Sequence, residues 1–280
     1  MILRTIAETK DYLNKARKAG KTIGLVPTMG FLHEGHLTLM EEARKKCDLV
    51  ITSIFVNPLQ FGVGEDYEEY PRDLSKDVEL ARGAGVEAIF APEVKEMYPR
   101  GYSTFIDLER ITAPLCGRSR PGHFRGVATV VTKLFNIIEP DFAYFGQKDA
   151  QQVMVIRTMA TDLNMNLEIV TVPIVREEDG LAMSSRNVYL NPQERQQAVV
   201  LHQSLQKAKE AIMTGERNPE KVNNILKDLI EGNPLAQLEY AEILSLPDLA
   251  NLAVIQGQVL LALAVRFGKT RLIDNMVLEV

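Results

Sequence analysis

Cysteine is scarce in this sequence: Cys47 and Cys116 are the only two in a chain of 280 residues. They stand far apart and lack the close spacing of paired metal ligands, so a disulfide framework and a cysteine zinc site are excluded. Scarce cysteine is typical of a reducing compartment. The N-terminal segment also lacks the apolar centre of a signal peptide, and together these features predict a cytoplasmic protein.

Long apolar runs and excess positive charge are also missing. No apolar run is long enough to span a membrane, so we expect no membrane partner. The 32 Lys and Arg residues face 37 Asp and Glu, which gives a formal net charge of −5 at pH 7. This balance argues against nucleic acid as an obligatory partner. No Ser-His-Asp order, Cys-His pair or carboxylate pair stands out, so acid–base hydrolysis is disfavoured.

Apolar strand-like runs alternate with helix-like segments as far as Val175. The predicted strands are Ile23–Val26, Leu49–Val56, Val86–Phe90, Asp141–Phe145 and Leu167–Val175. The predicted helices are Leu37–Lys46, Leu74–Arg82, Gly126–Ile138 and Ala150–Leu163. Strands that are apolar throughout and alternate with helices indicate an α/β domain with a parallel sheet covered on both faces.

After Arg176 the pattern changes to helices followed by adjacent strands. The predicted helices are Gln193–Met213 and Pro219–Ile230, and the predicted strands are Leu238–Leu244, Gln258–Arg266 and Arg271–Leu278. This order predicts a smaller α+β domain with an antiparallel sheet. We therefore expect domains over 1–176 and 177–280, with Glu177–Gly180 as a polar hinge.

The segment Met29–His36, called the signature turn below, carries the strongest chemical signal. It joins a predicted strand to a predicted helix and contains two of the four histidines, His33 and His36. Backbone N–H groups are unpaired at such a helix start, and the helix dipole favours an anion there. Histidines three apart lie on the same helix face, so both can donate to one polyphosphate. The turn predicts a phosphate site.

Polar groups also follow other predicted strands. Gln60 suits a ligand with hydroxyl and carboxylate groups, although a loop-stabilising role is the better local interpretation. Lys148 and Asp149 open a helix after a strand and fit phosphate and ribose, with helix capping about equally favoured. Gln151 and Gln152 lie about 100° apart on that helix, so one of them is expected to face the site.

Three other segments are open to two interpretations each. Ser184–Arg186 can grip phosphate oxygens and close over a nucleotide, or form a plain turn. The stretch Arg120–Gly126 is either a mobile anion-binding loop or a structural turn. The acidic run Glu65–Glu69 is most simply a solvated face.

Seven motifs, in this order, resemble the pantothenate synthetase family over essentially the whole chain. They are PTMGFLHEGH, FVNPLQF, YPRDL, RPGHFRGV, FGQKDAQQ, MSSRN and TRLIDN. Members join pantoate to β-alanine with cleavage of ATP. The His-x-Gly-His turn is also similar to that of Rossmann-like nucleotidyl-transferring proteins. The resemblance implies a Rossmann-like first domain, a C-terminal domain acting as a lid, and a homodimer.

The resemblance also implies the site residues. His36 takes the position that the family assigns as catalytic. Because charge shifts onto the pyrophosphate in this reaction, we expect a cage of side chains around it, formed by His33, His36, Lys148, Ser184, Ser185 and Arg186. Gln60 and Gln152 are implied to bind pantoate, and Gln60 later β-alanine. Asp77 matches an acidic position linked to Mg²⁺, most of which is expected to be held by ATP. The implied ATP-binding residues are Met29, Gly30, Phe31, Leu32, His33, Glu34, Gly35, His36, Gly146, Gln147, Lys148, Asp149, Val175, Met183, Ser184, Ser185 and Arg186.

Two rival functions share these features. One is a nucleotidyltransferase that moves AMP to a phosphate acceptor, for which extra arginines would be expected near the acceptor. The other is a noncatalytic nucleotide-binding protein, because a fold alone does not assign function. Gln60 and Gln152 disfavour the first, and His33, His36 and Lys148 disfavour the second.

Overall fold

The computed structural model describes all 280 residues and divides them into two compact units. The first unit comprises residues 1–112, 120–147 and 151–173, and the second comprises 113–119, 148–150 and 174–280. The main division thus falls after Pro173, close to the expected boundary at residue 176. Two short segments within the first 176 residues, Ala113–Ser119 and Lys148–Ala150, group with the second unit.

The first unit is built on a six-stranded parallel sheet. The strands are β1 (Ile2–Leu3), β2 (Ile23–Thr28), β3 (Leu49–Ile54), β4 (Ala88–Phe90), β5 (Phe142–Gly146) and β6 (Glu168–Val172). Their order across the sheet is β1-β4-β3-β2-β5-β6. This confirms the predicted parallel sheet, and β1 is the strand that the sequence pattern did not show.

Helices cover both faces of this sheet. The helices of this unit are α1 (Ile6–Lys18), α2 (Glu34–Lys46), α3 (Leu74–Gly83), α4 (Val94–Met97), α6 (His123–Ile138) and α7, which runs over Ala150–Asp162 and begins at the edge of the second unit. Alternate residues of β2 point to opposite faces, because side chains alternate along a strand. Leu25 packs in a core with α1, α6 and α7, whereas Val26 packs in a core with α2 and α3.

The sequence pattern located α2, α3, α6 and α7, but not the starts of α2 and α6. Helix α2 begins at Glu34, three residues before the predicted start, because His33 caps it. Helix α6 begins at His123 instead of Gly126, so the last four residues of the Arg120–Gly126 stretch are helical. Helix α1, capped by Thr5 and Glu8, was not predicted.

The second unit contains a three-stranded antiparallel sheet, as predicted. Its strands are β7 (Ala236–Ser245), β8 (Gln258–Phe267) and β9 (Thr270–Glu279). Its helices are α5 (Cys116–Ser119), α8 (Pro192–Ala198), α9 (Val200–Met213) and α10 (Pro219–Glu231), so the predicted helix over Gln193–Met213 is interrupted at Val199. Helices α8, α9 and α10 and the sheet share one apolar core. None of the helices in the chain is long and apolar enough to cross a membrane.

Candidate active site

The strand order of the parallel sheet reverses at β2, which lies between β3 and β5. Ligands of open α/β sheets bind at such a reversal, beyond the carboxyl ends of the strands. Three predicted segments leave the sheet there. The signature turn follows β2, the Asn57–Gln60 loop follows β3, and Gln147 follows Gly146 at the end of β5. The topology therefore brings together segments that are far apart in the sequence.

The signature turn has an unusual backbone at its start. Gly30 and Phe31 have φ angles of 84° and 51°, in the left-handed region that favours glycine. The hydroxyl of Thr28 accepts a hydrogen bond from the Gly30 amide at 3.2 Å and donates to the Ser53 carbonyl at 2.7 Å. Strand β3 therefore helps to fix the first half of the turn.

His33 and His36 cap the same helix. His33 is the N-cap of α2, and its Nδ1 accepts a hydrogen bond from the Gly35 amide at 3.1 Å. Nδ1 of His36 accepts one from the His33 amide at 3.3 Å, and the ring centroids lie 4.0 Å apart. Nδ1 is thus an acceptor in both rings, which places the proton of each neutral ring on Nε2. A second proton would have to displace a backbone amide from Nδ1.

Asp77 lies beneath the signature turn. The residue is 2% exposed, and its Oδ2 and Oδ1 accept hydrogen bonds from the Phe31 and Leu32 amides at 2.8 and 2.7 Å. Burial raises the pKa of its carboxyl, and these two hydrogen bonds act in the opposite direction. Both carboxylate oxygens are therefore engaged by backbone of the turn.

Gln60 lies against the signature turn through Met29. Its side-chain amide donates to the Met29 sulfur at 3.1 Å, and its side-chain oxygen accepts from Nδ2 of Asn57 at 3.1 Å. Asn57 is 1% exposed and is held in turn by the Tyr98 hydroxyl, which donates to it at 2.8 Å. Gln60 thus has a fixed orientation, as a group that recognises a small polar ligand requires.

The Arg120–Gly126 stretch contacts the Asn57–Gln60 loop, called the Gln60 loop below. Nδ1 of His123 lies 2.8 Å from the Gln60 carbonyl oxygen, and a guanidinium N–H of Arg120 donates to the same oxygen at 3.3 Å. Arg120 also forms an ion pair with Glu65 at 2.5 Å. The structural interpretation of this stretch is therefore favoured. The prediction of Glu65 as part of a solvated face is wrong, because its carboxylate is paired and mostly buried.

Glu65 has a strongly shifted acidity. Partial burial by itself raises the pKa of its carboxyl, but the hydrogen bonds and charge of Arg120 outweigh burial and lower the pKa to about 2. The carboxylate is consequently charged at every pH at which an enzyme normally works. It holds Arg120 in place against the Gln60 loop.

A second group of predicted residues comes together within the second unit. The ammonium of Lys148 donates to the Met183 carbonyl at 3.3 Å, and the Met183 amide donates to the Val175 carbonyl at 3.0 Å. Asn275, which is 4% exposed, donates to the Lys148 carbonyl at 2.8 Å. The TRLIDN motif therefore fixes the backbone that carries Lys148.

The comparisons with known proteins agree with one another. A family model described as Pantoate-beta-alanine ligase matches residues 1–277. A pantothenate synthetase of Pelotomaculum thermopropionicum is 60% identical, with 99% of this chain and 99% of that protein covered. One of Heliobacterium modesticaldum is 58% identical, with 100% and 99% covered.

The chain belongs to the pantoate–β-alanine ligase family.

Solved structures of the family agree with this assignment and with the predicted fold. A pantothenate synthetase crystal structure from Thermus thermophilus has a TM-score of 0.94 at 45% identity, with 98% of each chain covered. A pantoate-beta-alanine ligase from Francisella tularensis, complexed with Beta-gamma ATP and Beta-alanine, has a TM-score of 0.80 at 35% identity, with 99% and 97% covered. The predicted family membership and the α/β architecture are both confirmed.

The ATP-binding residues implied by the family resemblance fall into two sets. Met29–His36, Gly146 and Gln147 belong to the first unit, and Lys148, Asp149, Val175 and Met183–Arg186 belong to the second. In the second set, Ser184 caps the short 3₁₀ helix Ser185–Tyr189 by accepting from the Arg186 amide at 3.2 Å. Ser184–Arg186 is therefore a capped helix start rather than a plain turn.

The two glutamines of α7 differ in their surroundings. Gln151 is 5% exposed, and its side-chain amide donates to the Ile111 carbonyl at 3.1 Å. Gln152 is half-buried. This difference fits Gln152 as the one that serves a ligand, which the family resemblance implied.

Two residues that hold the predicted site residues were not predicted from the sequence. Asn57 and Asn275 position Gln60 and Lys148, although neither was singled out. Asn57 had a local signal, since an asparagine before proline is typical of a helix N-cap, and it does cap the 3₁₀ helix Pro58–Gln60. Asn275 had none, because its partner is 127 positions away in the chain.

Proposed function

We propose that the protein condenses pantoate with β-alanine to form pantothenate, through a pantoyl adenylate, with release of AMP and pyrophosphate. A pantoate carboxylate oxygen attacks the α-phosphorus of Mg-ATP, and the bond from that phosphorus to the pyrophosphate oxygen breaks. The β-alanine amine then attacks the activated carbonyl carbon, loses a proton, and expels AMP. The product is an amide.

The capped histidine pair is the observation that carries the first step. His33 and His36 stand at the start of α2, at the reversal of strand order, with both Nδ1 atoms engaged by backbone. With Nδ1 engaged as an acceptor, the N–H of each neutral ring lies on Nε2. Donors fixed in this way stabilise charge that develops on a leaving pyrophosphate.

The two sets of ATP-binding residues have separate proposed roles. The signature turn supplies backbone N–H groups and the helix dipole for phosphate oxygens. Lys148, Ser184 and Arg186 supply an ammonium, a hydroxyl and a guanidinium, groups that suit phosphate oxygens. Mg²⁺ is proposed to enter as part of Mg-ATP, where it neutralises phosphate charge and keeps bound water.

Gln60 and Gln152 are proposed to recognise pantoate. An amide both donates and accepts, which matches a ligand with hydroxyl and carboxylate groups. The fixed orientation of Gln60 supports this role for the first glutamine, and the half-buried position of Gln152 supports it for the second. Phosphoryl chemistry of this kind depends mainly on alignment, so rigid substrate contacts matter.

The decisive experiment separates the two half-reactions. Purified protein is given Mg-ATP and pantoate, and pyrophosphate is measured; β-alanine is then added, and AMP is measured. We expect pantoate-dependent pyrophosphate release followed by β-alanine-dependent AMP release. AMP transfer to a phosphate acceptor would instead identify a nucleotidyltransferase. Nucleotide binding without either release would identify a noncatalytic protein.

We also propose that Met183–Arg186 closes when ATP binds, with the second unit acting as a lid, because a mixed anhydride must be kept from water. Hydrogen exchange of this segment is measured with and without a nonhydrolysable ATP analogue. Slower exchange with the analogue is expected. Equal exchange rates in the two samples would rule out the closure.

A cytoplasmic location and a homodimer complete the proposal. Both cysteines are free and buried, which fits a reducing compartment. The homodimer is supported by the family resemblance alone. Sedimentation equilibrium, which measures the mass in solution, tests it directly; the mass of one 31.3 kDa chain would refute it.

A further inference from the structure

Asp77 is the one predicted site residue whose surroundings conflict with its predicted role. The family resemblance links this position to the metal. In the structure, however, Asp77 belongs to the first turn of α3, and the residue is 2% exposed. Such a buried carboxylate is poorly placed to bind a hydrated metal ion.

Both oxygens of Asp77 bind the signature turn. Oδ2 accepts from the Phe31 amide at 2.8 Å, and Oδ1 accepts from the Leu32 amide at 2.7 Å. Phe31 lies between these amides with a φ of 51°, in the left-handed region that is unfavourable for a residue with a side chain. A buried carboxylate that accepts both N–H groups offsets that cost and leaves neither amide unpaired.

The close packing around Gly30 strengthens this contact. A Cβ atom at Gly30 would lie 2.8 Å from Oδ2 of Asp77 and 3.0 Å from the Ile54 side chain. The carboxylate thus lies directly against the backbone of the turn, without a gap. A glycine at position 30 of the turn, with its φ of 84°, allows Asp77 to pack this closely.

A hydrated magnesium ion does not fit these surroundings. Mg²⁺ requires oxygen ligands at about 2.0–2.1 Å in octahedral order and usually keeps several waters. Asp77 has both oxygens engaged by backbone amides and almost no exposed surface. Moreover, no group of three or more His, Cys, Asp or Glu side chains in the chain is arranged to hold a metal ion.

We infer that Asp77 is a positioning residue, which holds the signature turn in shape through the Phe31 and Leu32 amides and does not ligate magnesium. It acts on ATP only through the turn, and in that respect the inference rests on the proposed function. Burial raises the pKa of its carboxyl, in keeping with a group that lies away from solvent.

The first test is Asp77→Asn, with Asp73→Asn as the matched control. An asparagine oxygen can accept from one turn amide, but its NH₂ group opposes the other. Asp73 is exposed and caps the same helix by accepting a hydrogen bond from the Lys76 amide at 3.0 Å. Its replacement by asparagine removes the same charge as Asp77→Asn does. For Asp77→Asn we expect kcat/KM for ATP to fall roughly 10- to 100-fold. The half-saturating magnesium concentration should stay within about twofold of the wild type, and the control should change neither quantity.

A metal ligand would give another result. The half-saturating magnesium concentration would then rise about tenfold or more, and excess magnesium would restore the rate. That outcome overturns the inference. Unchanged kcat/KM for ATP in a folded Asp77→Asn protein also overturns it.

The second test needs no variant and no catalysis, so it stands if Asp77→Asn fails to fold. Amide hydrogen exchange is measured in the wild-type protein without nucleotide, with and without Mg²⁺. We expect the Phe31 and Leu32 amides to be protected, and their exchange to be unaffected by magnesium. Rapid exchange at both amides, or exchange that changes with magnesium, refutes the inference. This result does not depend on pantoate-dependent pyrophosphate release, so the two proposals fail separately.

Discussion

At the scale of single residues, several proposed functional groups are held by contacts within the protein. Gln60 is oriented by Asn57, and Asn275 holds the backbone of Lys148. The rings of His33 and His36 accept hydrogen bonds from the Gly35 and His33 amides. A group whose hydrogen bonds are made before the ligand arrives loses little freedom on binding. Substitutions that remove these contacts are therefore expected to change activity, as substitutions of the functional groups do.

The two nitrogens of His36 are predicted to have separable roles. In His36→Asn the new side chain can still accept a hydrogen bond from the His33 amide, but it has no donor at the position of Nε2. In His36→Gln the side-chain amide reaches toward the position of Nε2, but the hydrogen bond from the His33 backbone amide is lost. We expect His36→Asn to keep its unfolding free energy and lose pyrophosphate release about 100-fold. His36→Gln should be less stable by about 1 kcal/mol and more active than His36→Asn. The opposite ranking of activities would contradict this division.

Asn57 is predicted to act through Gln60. In Asn57→Asp, the acceptor for the Tyr98 hydroxyl remains, while the donor to Gln60 is replaced by an oxygen. We expect KM for pantoate to rise about tenfold with KM for ATP nearly unchanged. The check is a double-mutant cycle with Gln60→Ala, in which the two effects on pantoate should not add. Strict additivity would show that Asn57 acts independently of Gln60.

At the scale of elements, the Gln60 loop depends on close packing against α6. A Cβ atom at Gly126 would lie 2.1 Å from the Leu59 carbonyl oxygen. A glycine in the interior of a helix usually weakens it, but here the absence of a side chain allows the close contact with the loop. Helix α6 thereby sets the distance between the loop and the sheet.

Gly126→Ala is predicted to move the loop. We expect a loss of about 1–3 kcal/mol in the unfolding free energy, together with a higher KM for pantoate. Gly83→Ala is the control, because Gly83 is also helical and a Cβ there meets nothing within 4 Å. The control should be neutral or slightly stabilising in chemical denaturation. Equal stability of the two variants would contradict the packing argument.

The Glu65–Arg120 ion pair is predicted to make stability depend on pH. Because the folded pKa of Glu65, about 2, lies below its ordinary value of 4.5, its contribution is fully present above that ordinary value. The contribution, on the order of 3 kcal/mol at most, is lost as the pH falls from 4.5 through 2. Glu65→Gln should therefore destabilise the protein at pH 7 and much less at pH 3, as measured by urea unfolding. Glu68→Gln, in the exposed part of the same run, should be neutral at both pH values.

At the scale of the whole molecule, the chain has two units, each with its own apolar core. The predicted hinge Glu177–Gly180 is a turn fastened within the second unit. Arg176 donates to the Gly180 carbonyl at 2.9 Å, and Arg195 pairs with Glu177 and Asp179, each at 2.7 Å. The segment after Pro173 is therefore anchored by ion pairs to the unit that follows it.

The ion pair of Arg176 with Asp274 is predicted to stabilise the second unit far more than exposed pairs do. Two hydrogen bonds of 2.7 and 2.9 Å join them, and the Asp274 side chain is 1% exposed. Arg176→Met leaves a buried carboxylate without its partner, so we expect a loss of about 3–5 kcal/mol in urea unfolding. Lys207→Met breaks a pair whose members are both 62% exposed and should cost less than about 1 kcal/mol. Similar losses in both variants would contradict the prediction.

The sequence by itself determined the features that depend on local order. Apolar runs of strand length, alternating with helical stretches, indicated the parallel sheet, and the change of pattern after Arg176 indicated the second domain. The ordered motifs indicated the family, because each motif keeps its own spacing. The signature turn was recognisable because its glycines, histidines and helix start lie within eight residues.

Only the tertiary structure decided which residues hold the functional groups. Asp77 lies 45 and 46 positions from the amides it binds, Arg120 55 from Glu65, and Asn275 127 from Lys148. A hydrogen bond over such a separation depends on strand order, helix position and side-chain direction together, and none of these is written in the local spacing. For that reason the hydrogen bonds from Asp77 to the signature turn and the ion pair between Glu65 and Arg120 could not be predicted from the sequence.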